Sequence, residues 1–437
     1  MSFFADVFIK IADKMGLTVQ YKEKPDKQKY SDHKTINLTS TIANRVTTLT
    51  MLDSTSYIDG ESARAEAMSD FMEYYTNEIL PIAAEVSLGT GDCLVKPWTD
   101  GERIGVSVVA NDDFRICESV GGFVKALIMR CEKLDIGQQH YERFEGQRIS
   151  GNTVTITQFV YKDGQELPEN EWPLAWQDIE KEVTVSGCYN LLLGRIKCPT
   201  INREDPNSGN GVRITYGLDS VLENAVKAYE RFNDEAEKKE TMVFADRTLF
   251  TADKDGNRIL PSGKGKLFQA VKGKDGGELI HEYSPDMRTD QLEKGVDVNF
   301  KMLELMAGLS NGILTAPSTK FATATEMKAS LQNTYAFITR FRNYIMNGTR
   351  ELLDAVDILM NLTGISPMGD WDVRFDWSSS YIENMEEQFT RLVTAHGLGA
   401  VDAAEVRSWV MDEDLATAEE RVNEIAGRAD EAAADII

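Results

Sequence analysis

Residues 284–363 constrain the fold more than any other stretch, because they read as two long helices joined by one exposed loop. Ser284 and Pro285 form a helix start, since the hydroxyl accepts an orphan N–H and proline at the first helical position lacks only an N–H that has no partner there. Leu292, Val296, Phe300, Leu303 and Met306 then recur three or four apart, and Gly308 supplies a stop. Ser310 to Thr325 (SNGILTAPSTKFATAT) clusters Gly, Pro, Ser, Thr and Asn, the composition of a loop. A second apolar stripe follows through Met327, Leu331, Tyr335, Ile338, Phe341, Ile345, Leu352, Val356 and Leu359. It predicts a helix roughly three times the usual globular length. Such a stripe needs apolar cover along its whole length, and a neighbouring subunit is the expected source.

The rest of the chain alternates helical and strand-like blocks. The opening MSFFADVFIKIADKMG is amphipathic, but Asp6, Lys10 and Asp13 interrupt it. It reads as a helix docked on a partner or on its own core, and as neither a signal peptide nor a membrane span. An arm rich in lysine follows (Lys22, Lys24, Lys27, Lys29, Lys34), and 36–88 reads as helical, with Phe71, Tyr74, Tyr75, Ile79 and Ile82 on its apolar side. The period then drops to two in VSVVA, FVKALIMRCEKL, HYERFEG, TVTITQFVYKDG and EVTVSG, separated by Asp-Gly and Gly-Asn turns. The polar, turn-rich 202–213 reads as a linker.

Residues 216–239 predict another amphipathic helix, carrying Leu218, Val221, Leu222, Ala225, Tyr229, Phe232 and Ala236. Between it and Ser284 lies a small β insert with seven basic residues (Arg247, Lys254, Arg258, Lys264, Lys266, Lys272, Lys274) against six acidic ones, a balance of +1. Its segments 242–245 and 266–271 are expected to offer open strand edges. Trp371, Val373, Phe375 and Trp377 alternate in a late strand. The tail from Tyr381 is helical, Ala-rich and acidic, with fourteen Asp and Glu against four Arg.

Four pieces in this order resemble the portal proteins of tailed bacteriophages. They are LGTGDCLVKPWTDG with the strand VSVVANDDFRI, then LDSVLENAVKAYERFNDEAEKKETMVFADRTLF, SPDMRTDQLEKGVDVNFKMLELMAGLS and TATEMKASLQNTYAFITRFRNYI. The resemblance spans most of the chain, with the TATE segment its most specific part. It implies an α+β portal-like fold and a homo-oligomeric ring, usually a dodecamer, at one capsid vertex. Viral double-stranded DNA is packaged and ejected through the channel of such a ring, without sequence-specific binding. By matching segments, 1–213 with 364–380 correspond to an α/β wing, and 214–240 with 284–309 to the stem helices. Residues 241–283 match the clip, 310–325 the tunnel loop, 326–363 the long helix and 381–437 the helical crown. The implied channel residues are Ser310, Asn311, Thr315, Ser318, Thr319, Lys320 and Thr323, with Lys320 the only charge in that loop. The implied docking residues on the clip are Lys264, Lys266, Lys272 and Lys274. Implied partners are the terminase motor, then head-to-tail adaptors, with the major capsid and scaffold proteins around the ring. The location is the virion, after assembly in the host cytoplasm. Another virion ring or head-completion protein is the alternative.

Charge agrees with a conduit: the net −24 is opposite to what adhesion to DNA phosphates requires. It is also what a merely soluble acidic protein shows. Five cysteines (Cys93, Cys117, Cys131, Cys188, Cys198) lack metal-ligand spacing and read as reduced thiols, and four scattered histidines add no cluster. GNRILPSGKGK has the residues of a phosphate loop at the wrong spacing, with Gly265 where a Mg²⁺-binding hydroxyl belongs. ADKDGNRI begins like a calcium loop, yet Arg258 stands at the sharp-turn glycine and Lys264 at the bidentate acid. No catalytic, cofactor or metal site is expected, and the chain is read as structural, without enzymatic activity.

Overall fold

The computed structural model describes residues 3–17, 36–52, 54–205, 209–238, 288–315, 324–377, 392–411, 414–415 and 417–424, with the insert strands at 242–246, 251–252, 258–259, 268–271 and 280–283. It is a mixed α+β chain, 48% helical and 27% strand, with its strands divided among several sheets. The largest core is built around one helix, α7 (Ala324–Thr363). Phe337, Phe341, Ile345, Leu352, Leu353, Val356 and Met360 are buried on it against α2 (Leu38–Met51), α4 (Leu80–Thr90), β2 (Asp92–Thr99) and β10 (Gly194–Lys197). The cover expected from a neighbouring subunit is therefore supplied by the same chain from Phe337 onward. Close approach makes this possible. A Cβ on Gly348 would sit 2.4 Å from the Arg195 carbonyl oxygen, and one on Gly194 would sit 2.1 Å from that of Gly348.

The stretch read as helical over 36–88 is interrupted. After α2 the chain forms β1 (Ser54–Asp59), then α3 (Ala63–Tyr74), a π-turn at Tyr75–Ile79 and α4. STSYID is a strand because it finds a partner 313 to 323 residues away: Ser54 pairs with Trp377 and Asp59 with Asp372, antiparallel to β16 (Asp372–Trp377). The alternating Trp371, Val373, Phe375 and Trp377 all face the core, as their spacing predicts. Arg342 of α7 closes this corner, donating to the Thr50 and Leu52 carbonyls at 3.1 and 2.8 Å and lying over the Trp377 ring.

The second unit is an antiparallel meander, β4 (Phe114–Val120), β5 (Phe123–Ile136), β6 (Gln139–Ser150), β7 (Thr153–Lys162) and β8 (Gln165–Leu167), with β9 (Glu182–Ser186) also on β7. The Asp-Gly turn after β7 is legible in the backbone, since Asp163 and Gly164 both take positive φ, as a tight hairpin demands. The N-terminal helix α1 (Phe3–Lys14) docks on its own core: Val7, Phe8 and Ile11 are buried on this sheet, and Phe8 meets Phe144 edge-on at 5.6 Å. Other side chains of the sheet meet Lys96 of β2 in a buried polar network: Lys96 pairs with Glu145, and Glu145 also accepts from Gln147 and Gln158 at 2.8 and 2.9 Å. Burial opposes both charges, but their mutual attraction prevails, raising the Lys96 pKa and lowering that of Glu145.

The supposed linker 202–213 is clamped to the body over its second half. Buried Asp92 accepts from Arg195 at 2.7 Å and from the Gly211 N–H at 2.5 Å. Ile214 then continues into the main core ahead of α5 (Asp219–Lys238).

Candidate channel and docking elements

Helices α5 and α6 (Thr289–Met306) pack against each other and run antiparallel. The start of α5 (Leu218, Ala225) shares the main core with the end of α6 (Leu303), while Glu235 near the other end of α5 accepts from Arg288 at 3.0 and 3.2 Å. Helix α6 begins four residues after the expected Ser284–Pro285 start; residues 284–287 lie outside the described set.

Between the two helices in sequence, three of the described strands form a small mixed sheet. Strand β11 (Met242–Asp246) is parallel to β14 (Phe268–Val271) and antiparallel to β15 (Ile280–Tyr283). The edge predicted at 242–245 is thus the central strand, because both of its sides are paired; among the described residues, β14 (268–271 of the expected 266–271) lies at an edge. A second small ribbon pairs Thr251–Ala252 with Arg258–Ile259, the hairpin that the calcium-like spacing had imitated. Lys264, Lys266, Lys272 and Lys274 lie outside the described residues.

The end of α6 is fixed by a Schellman closure. Gly308 takes φ +77°, its N–H bonds to Leu305 O at 3.1 Å, and Leu309 N–H bonds to Glu304 O at 2.9 Å, which leaves Leu309 buried. Only glycine adopts that backbone without steric cost, so the stop expected at Gly308 has a physical cause. Fully buried Glu304 then gathers the following turn. Its carboxylate accepts from the N–H groups of Gly312, Leu314 and Thr315 at 3.2, 2.5 and 3.1 Å, and from Thr315 Oγ1 at 3.1 Å.

This changes the reading of the predicted channel residues. Ser310 is turned inward, its N–H donating to Thr334 Oγ1 at 2.8 Å and its hydroxyl accepting from the Thr334 N–H at 3.3 Å. Thr315 serves Glu304 in the same way, and Asn311 is exposed. Ser318, Thr319, Lys320 and Thr323 lie outside the described residues, and α7 begins at Ala324, two residues inside the expected loop. Glu304 was missed, although a signal existed. It lies four residues after Phe300, on the apolar stripe, where a solvated acid does not belong.

One surface feature is legible only in three dimensions. Val298, Met302, Leu305 and Met306 of α6 are 61, 48, 60 and 50% exposed, at positions i, i+4, i+7 and i+8. They form one continuous apolar strip on a helix whose other side faces α5 and the core.

Helix α7 also holds a half-buried acid. Burial, reinforced by the charge of Asp354 and opposed by Arg195, pushes the Glu351 carboxyl from 4.5 up to about 7. The folded chain therefore binds this proton more tightly than the unfolded one. Stability from this group is full below about pH 4.5, falls as pH rises toward 7, and is lost above it. Glu351→Gln keeps an acceptor for the Arg195 N–H, which meets Glu351 Oε2 at 3.1 Å. The variant is expected to be more stable than the parent at pH 8, by at most about 3 kcal/mol, with the gap closing toward pH 4.5. Urea unfolding at the two pH values measures it.

Neither a family model nor a curated protein matches this chain. Among the described residues no group of three or more His, Cys, Asp or Glu is arranged to hold a metal ion. Within the same residues no helix is long and apolar enough to cross a membrane.

Proposed function

We propose that this chain is a portal-type subunit: a structural protein that forms a homo-oligomeric ring, expected to be a dodecamer, through which viral double-stranded DNA passes. The observation that carries the reading is the α5–sheet–α6 hairpin, two antiparallel helices with a small mixed sheet between them and an apolar strip exposed along α6. An insert between antiparallel helices projects from their shared end, where an outside partner reaches it. The strip calls for a covering surface, and a ring supplies an identical one at every seam. The net charge of −24, with a tail balance of −10, suits a conduit that must not retain DNA. In this reading α5 and α6 are the stem, 241–283 the clip, 310–325 the tunnel loop and 381–437 the crown.

Electron microscopy of the purified protein tests the assembly directly: rings with a central opening are expected, and a uniform population of monomers at micromolar concentration overturns the proposal. The clip role has its own test. Charge reversal at Lys264, Lys266, Lys272 and Lys274 is expected to leave rings intact while reducing capture of the packaging motor or the head-to-tail adaptor at least tenfold. Rings that fall apart instead assign the insert to assembly, and undiminished capture places the docking surface elsewhere.

A further inference from the structure

We infer that Glu304 is a positioning residue that sets where and in which direction the chain leaves α6 toward the tunnel loop. The functional consequence rests on the portal reading; the geometry does not. A carboxylate in the last turn of a helix faces the negative end of the helix dipole, and burial adds a desolvation cost. Both effects disfavour an acid at this position, and the Schellman closure at Gly308 already ends the helix without it. What offsets the cost is convergence: three backbone N–H groups and one hydroxyl from residues 312–315 meet a single side chain.

The segment is held on its other side as well. Leu309 and Ile313 are buried in the main core, and Ser310 exchanges two hydrogen bonds with Thr334 on α7. Residues 309–315 are thereby fixed to α6 and α7 together, with Glu304 as the common acceptor. The 309–315 turn therefore stays with the two helices in any movement of the tunnel loop's described start. The loop's composition, rich in Ser, Thr and Ala, gives no hint of this, because the anchor is a side chain six residues before the loop begins.

Hydrogen exchange on the purified full-length protein tests the assignment without any assumption about DNA. Glu304→Ala is expected to speed exchange at Gly312, Leu314 and Thr315 roughly tenfold or more, while peptides from Phe337 to Met360 of α7 keep their protection. Glu304→Gln, which retains an acceptor oxygen, is expected to recover part of the protection. Unchanged exchange at 312–315 in Glu304→Ala overturns the proposal. So does an equal rise across α7 in both variants, since that marks a general loss of stability. Packaging by rings of Glu304→Gln provides the separate functional arm, with a loss of roughly tenfold expected when protection at 312–315 falls. Lost protection with normal packaging keeps the anchor and removes its link to DNA passage; absence of rings in the parent protein removes the portal reading and leaves the exchange result standing.

Discussion

In the ring proposed above, Met302→Asp with Leu305→Asp is expected to leave only folded monomers. Both residues are about half exposed, so the subunit loses little packing of its own. Aspartate within a helix costs only about 0.5 kcal/mol per site, too little to unfold it. In a seam the balance differs. Obligate interfaces bury more than about 2,000 Å² with an apolar centre, and an unpaired charge buried there costs about 3 kcal/mol or more. Repeated at every seam, this lowers the association constant more than about a hundredfold per contact. Native mass spectrometry reads the outcome, with circular dichroism as the check that the monomer is folded. Assemblies of unchanged size would place the seam on another surface and leave the α6 strip unexplained.

The largest effect on stability is expected at Arg64. Its side chain is fully buried and makes five donations: to the Pro367, Asp357 and Ser366 carbonyls at 3.0, 2.9 and 2.7 Å, to Asp357 Oδ1 at 2.9 Å and to Asn361 Oδ1 at 2.6 Å. One guanidinium thus joins α3 to the end of α7 and to the turn before β16. Arg64→Ala removes every donor at once, strips the buried Ser366 carbonyl of its Arg64 partner and leaves a void where a fully buried side chain stood, which predicts a loss of about 3–5 kcal/mol. Arg64→Lys is expected to be nearly as damaging, because a single ammonium cannot reproduce the planar fork. Denaturant unfolding measures both, and a change below about 1 kcal/mol in Arg64→Ala would show that the surrounding carbonyls find water instead.

The sequence made local periodicity legible and long-range pairing illegible. The stripe from Ile338 to Val356, the alternation of Trp371 to Trp377 and the Asp163-Gly164 turn each state their structure within a few residues. STSYID does not, because its strand character depends on β16 far along the chain, and its own residues fit a helix end about as well. The same limit explains the misplaced edge at 242–245: an apolar run announces a strand but not how many neighbours it will have. The cover of α7 was assigned outward because a one-dimensional reading cannot show that α2, α4, β2 and β10 converge on it. At the candidate site, the loop composition was visible at 310–325, while the inward turn of Ser310 and Thr315 depended on Glu304 and Thr334, which composition does not link.

The β1–β16 ribbon also sets a schedule for the chain as it is made. Residues 54–59 cannot pair until 372–377 have been synthesised, and the main core lacks its central helix until α7 is complete. At ordinary synthesis rates of about 5–20 residues per second, the gap is roughly 15–60 s. Throughout that interval α2, α3 and α4 have no α7 to bury them, so the apolar faces of residues 38–90 wait on the ribosome, exposed to chaperones and to one another. The meander of 114–186 pairs only with its near neighbours and is free to form early. Folding of this chain is therefore divided in time, with a sheet that closes during synthesis and a helical core that closes only when the last third arrives.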